Sequence, residues 1–199
     1  WDCNCVPTNA DDVIIPEGVT VGHSTANLNS NSWKTIRVNG TLNVTNSIEF
    51  SLYTADSLMV GANGTLNIGD DIIFGAGDPN MLIRVYEGGK IHVTDDIRET
   101  VNIEKYIYNY GEITVNGDYN TECRLYNYSN GKITVKGNIL DGSNIRVYNY
   151  GYIEVDFDII HNGNMYNYAN GLVLVHGAIS GTSSMTFDNY GIVTIDGSL

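Results

Sequence analysis

Tyr110-Gly-Glu-Ile-Thr-Val115, Asn130-Gly-Lys-Ile-Thr-Val135, Tyr150-Gly-Tyr-Ile-Glu-Val155, Asn170-Gly-Leu-Val-Leu-Val175 and Tyr190-Gly-Ile-Val-Thr-Ile195 repeat one design every 20 residues. The same design stands upstream as Asn39-Gly-Thr-Leu-Asn-Val44, Asn63-Gly-Thr-Leu-Asn-Ile68 and Gly88-Gly-Lys-Ile-His-Val93. The shared glycines, Gly40, Gly64, Gly89, Gly111, Gly131, Gly151, Gly171 and Gly191, are spaced by 24, 25, 22 and then 20 residues four times. After each glycine the order is outward, inward, outward, inward. Pairs such as Leu42/Val44, Ile91/Val93, Ile133/Val135 and Val193/Ile195 fall on one face, the two-residue period of a strand.

A strand this short cannot bury its apolar face alone, and hairpins would need much shorter connections than 20 residues. Coils of two or three short strands separated by turns meet both demands. Like strands then stack ~4.8 Å apart into parallel sheets around one continuous core. The expected fold class is all-β, a right-handed parallel β-helix or β-solenoid of about eight coils of 20 to 25 residues. Residues 1–35 are read as an N-terminal cap and first coil, and 36–199 as the repeats of a single continuous domain.

The segment before each glycine adds a second set of columns. In Ile107-Tyr-Asn-Tyr110, Leu125-Tyr-Asn-Tyr128, Val147-Tyr-Asn-Tyr150 and Met165-Tyr-Asn-Tyr168 the apolar residue and the Asn share one face and both tyrosines the other. If the apolar residue points inward, Asn109, Asn127, Asn149, Asn167 and Asn189 form an internal asparagine ladder. A buried amide without partners costs ~1 to 3 kcal/mol, so each must bond its neighbours or nearby backbone. The Asn spacing alternates 18, 22, 18, 22, because Ser129-Asn130 and Ala169-Asn170 are two extra residues in every second coil.

Charge narrows the partners. The 199-residue chain carries Lys+Arg 10 against Asp+Glu 23, a formal net charge of -13. That balance repels phosphate backbones and anionic lipid, which argues against nucleic acid and membrane-surface binding. No apolar run approaches the ~20 residues that span a bilayer, so membrane insertion is not expected. The first residue is Trp1 rather than Met, so any export signal is expected either to have been removed already or to lie outside this sequence.

Trp1-Asp-Cys-Asn-Cys-Val-Pro-Thr8 followed by Asp11-Asp-Val-Ile-Ile-Pro-Glu-Gly-Val-Thr-Val21 resembles the opening of adhesin-like β-helical domains in large secreted surface proteins of Bacteroidota-type bacteria. The resemblance implies export to the cell surface and a structural, adhesive or stalk role, with no catalytic motif to carry over. Asp56-Ser57-Leu58 is similar to the short O-glycosylation signal of such bacteria. Three cysteines agree with this only weakly. Cys3 and Cys5 sit, if extended, at the upper edge of disulfide geometry, leaving both a strained bridge and two free thiols open. Cys123, two before inward Leu125, is expected to be a buried, inert thiol.

Four groups of residues invite a functional reading. Outward tyrosines form two columns, Tyr108, Tyr126, Tyr148 and Tyr166, then Tyr110, Tyr128, Tyr150, Tyr168 and Tyr190. Arg84, Arg124 and Arg146 are placed beside them, two positions earlier on the same face. Such a stripe stacks sugar rings or clamps a protein; stacked rings also stabilise a sheet by themselves. Acidic residues recur three positions past each repeat as Asp71, Asp96 and Asp118, with Asp70 and Asp95 just before two of them. Stacked carboxylates repel unless bonded or bridged, so Ca²⁺ is one reading and turn residues bonding backbone the other; no further cofactor is expected.

The third group is apolar: Tyr152, Leu172 and Ile192 form an outward column, joined by Leu174, which marks an interface for self-association. The chain stops at Leu199 midway through a coil, so its partners are expected to be further copies, head to tail or lateral, or the rest of a larger surface protein, with glycan as the other candidate. The fourth is catalytic. A β-helical lyase or glycoside hydrolase needs acids and a basic residue in a groove, and only the longer coils holding Asp70, Asp71, Arg84, Asp95 and Asp96 have room. A non-enzymatic extracellular module is therefore the favoured reading, with a carbohydrate-active enzyme as the alternative. His23, His92, His161 and His176 are taken as outward residues forming no metal-spaced cluster.

Overall fold

Short strands separated by bends wind into three parallel sheets in a computed structural model, which describes residues 8, 10–24, 26–29, 33–50, 57–75, 81–100, 105–140, 146–181 and 185–197. The first and second sheets hold nine strands each and the third holds eight, always with a strand from one coil hydrogen-bonded to its counterpart one coil on. The first sheet runs from Asp12–Ile15 through Tyr106–Asn109, Arg124–Asn127, Arg146–Asn149 and Asn164–Asn167 to Thr186–Asn189. The second contains the repeats that follow each glycine, from Thr20–His23 to Ile192–Ile195, and the third runs from Leu28–Asn29 to Ile179–Gly181. Among the described residues there is no helix, so none is long and apolar enough to cross a membrane.

The parallel solenoid is thus the observed fold. One rung more than the eight glycine repeats is present, because Asp12–Ile15 and Thr20–His23 pair in register with Thr35–Val38 and Thr41–Val44. Strand alternation sets the core. Ile113, Ile133, Ile153 and Val173 stack in one inward column and are essentially buried, as are Val115, Val135, Val155 and Val175 beside them. Inward residues of the third sheet complete the interior; Trp33 meets Phe50 edge-on at 5.6 Å, and Phe50 stacks on Phe74 at 5.5 Å.

Glycine follows the strand because the chain passes too close to the previous coil for a side chain. A Cβ on Gly151 would overlap the carbonyl oxygens of Tyr128 and Gly131. The asparagine ladder begins where the first-sheet column Val38, Val60, Val85 reaches Asn109. Asn109, Asn127, Asn149, Asn167 and Asn189 are joined amide to amide, each Nδ2 donating to the next Oδ1 at 2.8 Å.

The alternating turn length has a hydrogen-bonding cause. In the tight turns the N–H of Gly111, Gly151 and Gly191 donates to the Oδ1 of Asn109, Asn149 and Asn189 of its own coil at 3.1 to 3.2 Å. In the wide turns the two extra residues let the N–H of Gly131 and Gly171 donate instead to the Tyr128 and Tyr168 carbonyls, both at 2.8 Å. Asn170 takes the left-handed conformation (φ 75°), whereas its counterpart Asn130 closes the other wide turn without it.

Candidate functional site

The outward face of the first sheet carries the tyrosines, because the residue between each inward apolar side chain and its Asn must point out. Tyr108, Tyr126, Tyr148 and Tyr166 stand in register, with ring centroids 5.0, 4.7 and 5.3 Å apart and planes within 17°. The neighbouring column at the turn is paired rather than even. Tyr110–Tyr128 and Tyr150–Tyr168 lie at 4.0 and 4.3 Å, while Tyr128–Tyr150 and Tyr168–Tyr190 lie at 6.2 and 6.5 Å. The close pairs join a tight turn to the wide turn after it, so the turn alternation is transmitted to the surface.

Stacking changes what the stripe displays. Ring faces are taken up by the rings above and below, so the surface presents ring edges and hydroxyls rather than flat platforms. Burial raises the Tyr108 hydroxyl pKa, and burial together with a hydrogen bond to Tyr110 raises that of Tyr128 to about 12. The Tyr168 hydroxyl is likewise raised, by burial and then by its bond to Tyr150. These groups therefore remain protonated donors at neutral pH. Tyr190 is the most open of them, 69% exposed.

The arginines do stand on this face, with one change of register. Arg84 pairs with Tyr108 itself, not with the column before it, and its guanidinium lies over that ring at 5.3 Å. Arg124 and Arg146 are neighbours in the column that continues from Leu82 and Tyr106, with Arg124 5.8 Å from the Tyr106 ring. Arg37, which the sequence reading passed over, lies exposed two rungs before Arg84.

The acidic column is a second ladder. Asp71, Asp96, Asp118 and Asp158 each accept a hydrogen bond from the backbone N–H one coil on, at 3.0, 2.7, 2.6 and 2.7 Å. Asn138 does the same toward Asp158, and Ser47 toward Asp71. These are turn residues bonding backbone, but the backbone of the following coil instead of their own. Asp71 also receives Arg98 Nε. Of the acids considered for a cation, Asp70, Asp71 and Asp95 bring one oxygen each within 4.8 Å of one another, whereas Asp96 and Asp118 lie outside that group. Repulsion from Asp96, then burial, raises the Asp95 pKa.

The outward placement expected of the histidines fails at His23 and at His161: His23 stands in register with inward Val44. His161 is 1% exposed, because Ile159-Ile-His161 alternates from an inward Ile and so turns the imidazole inward; burial lowers its pKa to about 4. His176 is outward but not isolated. It meets Asp196 at 2.7 Å through Nδ1 and Glu154 at 3.7 Å through Nε2, with Asp156 alongside; the Asp196 bond is the main cause of its raised pKa. The period itself, 156, 176, 196, was the signal that joins three of these four residues.

Inward Lys105 also escaped the sequence reading. It is fully buried, donates to Gly75 O at 2.9 Å and Glu99 Oε1 at 3.2 Å, and lies over Phe74; its parity with Ile107 gave the inward direction. Cys123 is buried beside Thr121, and burial holds its thiol protonated. Tyr152, Leu172 and Ile192 form one outward column, Leu174 lies on the same face, and Ile192 is 63% exposed. Ser57 opens a first-sheet strand, half-buried. Cys3, Cys5 and Asp56 lie outside the described residues.

Three parallel sheets closed by glycine-lined turns, with internal amide and carboxylate ladders, define an all-β solenoid module. The G8 domain family matches residues 1–197, and the chain belongs to that family. No curated protein and no solved structure matches the chain.

Proposed function

We propose that this G8 domain is a non-catalytic extracellular recognition module, adhesive or structural in role, whose contact surface is the tyrosine and arginine face of the first sheet. The observation that carries the reading is the pair of tyrosine columns bordered by Arg37, Arg84, Arg124 and Arg146. Four of the ten basic residues of a strongly acidic chain are gathered on this one face. A row of phenols repeating at rung spacing, ~4.8 Å, offers edges and hydroxyls in step with a long ligand lying along the stack. Hydroxyl-rich or weakly acidic glycan fits that surface, because phenols exchange hydrogen bonds with sugar hydroxyls and guanidinium groups bind carboxylates.

Catalysis is not part of the reading. A shallow, open concavity of about 310 Å³ is lined by Asn43, Thr45, Asn67, Gly69, His92 and Thr94, in which His92 stands with no carboxylate among the lining residues to pair with it. The likeness of the N-terminal sequence to bacterial surface adhesins supports the same assignment. The test is a glycan array comparing the parent with Tyr126, Tyr148 and Tyr166 together replaced by Ser. Lost signals with an unchanged circular dichroism spectrum support the assignment; equal signals for both proteins refute it.

The exposed Ile192 edge of the Tyr152, Leu172 column favours a second role, lateral contact between copies. Sedimentation of the parent against Ile192→Lys tests it, and a parent that stays monomeric at every salt concentration excludes it.

A further inference from the structure

Glu154 lies in the second-sheet strand Tyr152–Val155, and Asp156, His176 and Asp196 each follow a second-sheet strand on three successive coils. Their backbone N–H groups bond Val135, Val155 and Val175 identically, at 2.9 Å, so the three side chains leave the same point of the coil. We propose that Glu154, Asp156 and His176 form a binding site for a divalent transition-metal ion such as Zn²⁺, with Asp196 orienting the imidazole.

Three features of the geometry point there. One ligand atom from each of Glu154, Asp156 and His176 already lies within 4.8 Å of the others. The carboxylate of Asp196 can only accept, so the 2.7 Å contact places a proton on His176 Nδ1 and turns Nε2, the nitrogen that a metal would take in place of its proton, toward Glu154. A carboxylate on the far imidazole nitrogen is the usual support of a metal-bound histidine. Finally, the Nε2 to Glu154 Oε1 distance, 3.7 Å, is too long for a direct hydrogen bond. It is close to the ~3.4 Å that separates two donors held ~2.1 Å from a tetrahedral ion.

The donor set selects the ion. One imidazole nitrogen with carboxylate oxygens suits Zn²⁺, Cu²⁺ or Ni²⁺ better than Ca²⁺ or Mg²⁺, which want oxygen alone. The two acids neutralise the dication locally, in contrast to Asp70, Asp71 and Asp95, where Asp71 is already committed to Arg98 and to backbone. A bound ion would clip two successive coils together and leave its remaining position to water or to a donor from another molecule.

The experiment uses the full chain, stripped of metal, titrated with ZnCl₂ alone at pH 7.5 by calorimetry, with nitrogen-15 NMR of the imidazole. The expected result is one saturable site, a shift of His176 Nε2 with Nδ1–H retained, and a rise in melting temperature. His176→Ala should abolish this site, Glu154→Gln should weaken it at least tenfold, and Asp196→Asn should weaken it about 10- to 100-fold, the range typical of lost supporting carboxylates. All these side chains are at least partly exposed, so the variants should fold, and circular dichroism checks that they do. Asp95→Asn should bind as the parent does. Absence of a saturable Zn²⁺ site, or a site indifferent to His176→Ala and Glu154→Gln, would overturn the proposal.

Discussion

Replacing Asn149 by Val restores the residue type that Val38, Val60 and Val85 supply in the earlier coils, yet it should be costly here. Asn149 Oδ1 accepts from Gly151 N–H at 3.2 Å and from Asn127 Nδ2 at 2.8 Å, and its Nδ2 donates to Asn167 Oδ1 at 2.8 Å. Asn127 Nδ2 keeps a second acceptor, Tyr152 O at 3.0 Å. Gly151 N–H and Asn167 Oδ1 lose these partners where Asn127, Asn149 and Asn167 are fully buried; only Asn189, at the end of the ladder, is exposed. At ~1 to 3 kcal/mol for each stranded group the loss is about 2 to 6 kcal/mol. Extra apolar burial offsets about 1 kcal/mol of that, leaving a net loss of about 3 kcal/mol. For a chain of this size the melting temperature should fall by about 6 to 12 °C. The assay is urea and thermal unfolding against Asn67→Val, which removes an amide bond of the same 2.8 Å length, Asn67 Nδ2 to Asn43 Oδ1, on the surface. Water replaces that bond, so the control should lie within about 0.5 kcal/mol of the parent. Equal, small effects for both variants would refute the claim that burial makes the ladder indispensable.

Gly151→Ala should destabilise by about 1 to 3 kcal/mol or more, since its Cβ would overlap two carbonyls, whereas Gly22→Ala, with open space around it, should be nearly neutral in the same denaturation assay. Ile133→Asp, at 2% exposure in the middle of the stack, should abolish folding, and a soluble variant with unchanged melting would overturn the inward assignment. His161 has a pKa lowered from 6.5 to about 4 by burial. The unfolded chain therefore takes up a proton that the folded one refuses, and stability from this group, full above pH 6.5, declines as the pH falls toward 4. The urea midpoint should drop between pH 7 and pH 5 in the parent and drop less in His161→Leu; equal slopes would remove His161 as the cause.

The register of this protein was legible in its sequence because strand alternation has a fixed period and the coil length is almost constant. Ile113 over Ile133 over Ile153, the asparagine ladder and both tyrosine columns follow from counting. Errors arose where the count was not carried through. His161 shares the parity of its inward neighbour Ile159 but was expected outside as a titratable side chain; Lys105, which was not read at all, shares the parity of Ile107, and partners such as Glu99 make its inward position tolerable. Arg84 was misplaced by one step because the coil before Tyr106 is longer and its register is set by pairing, not by spacing.

The sequence by itself determined the fold, the core columns and which residues line up, since all of these depend on periods of two and twenty along the chain. Tertiary structure alone decided what the aligned groups do to one another. Parallel stacking turns ring faces toward each other and hides them. It brings each turn carboxylate to the N–H of the coil above, and it sets Glu154 against His176 from a different coil. Those outcomes depend on side-chain direction and distance across the ~4.8 Å gap between coils, which no one-dimensional count contains.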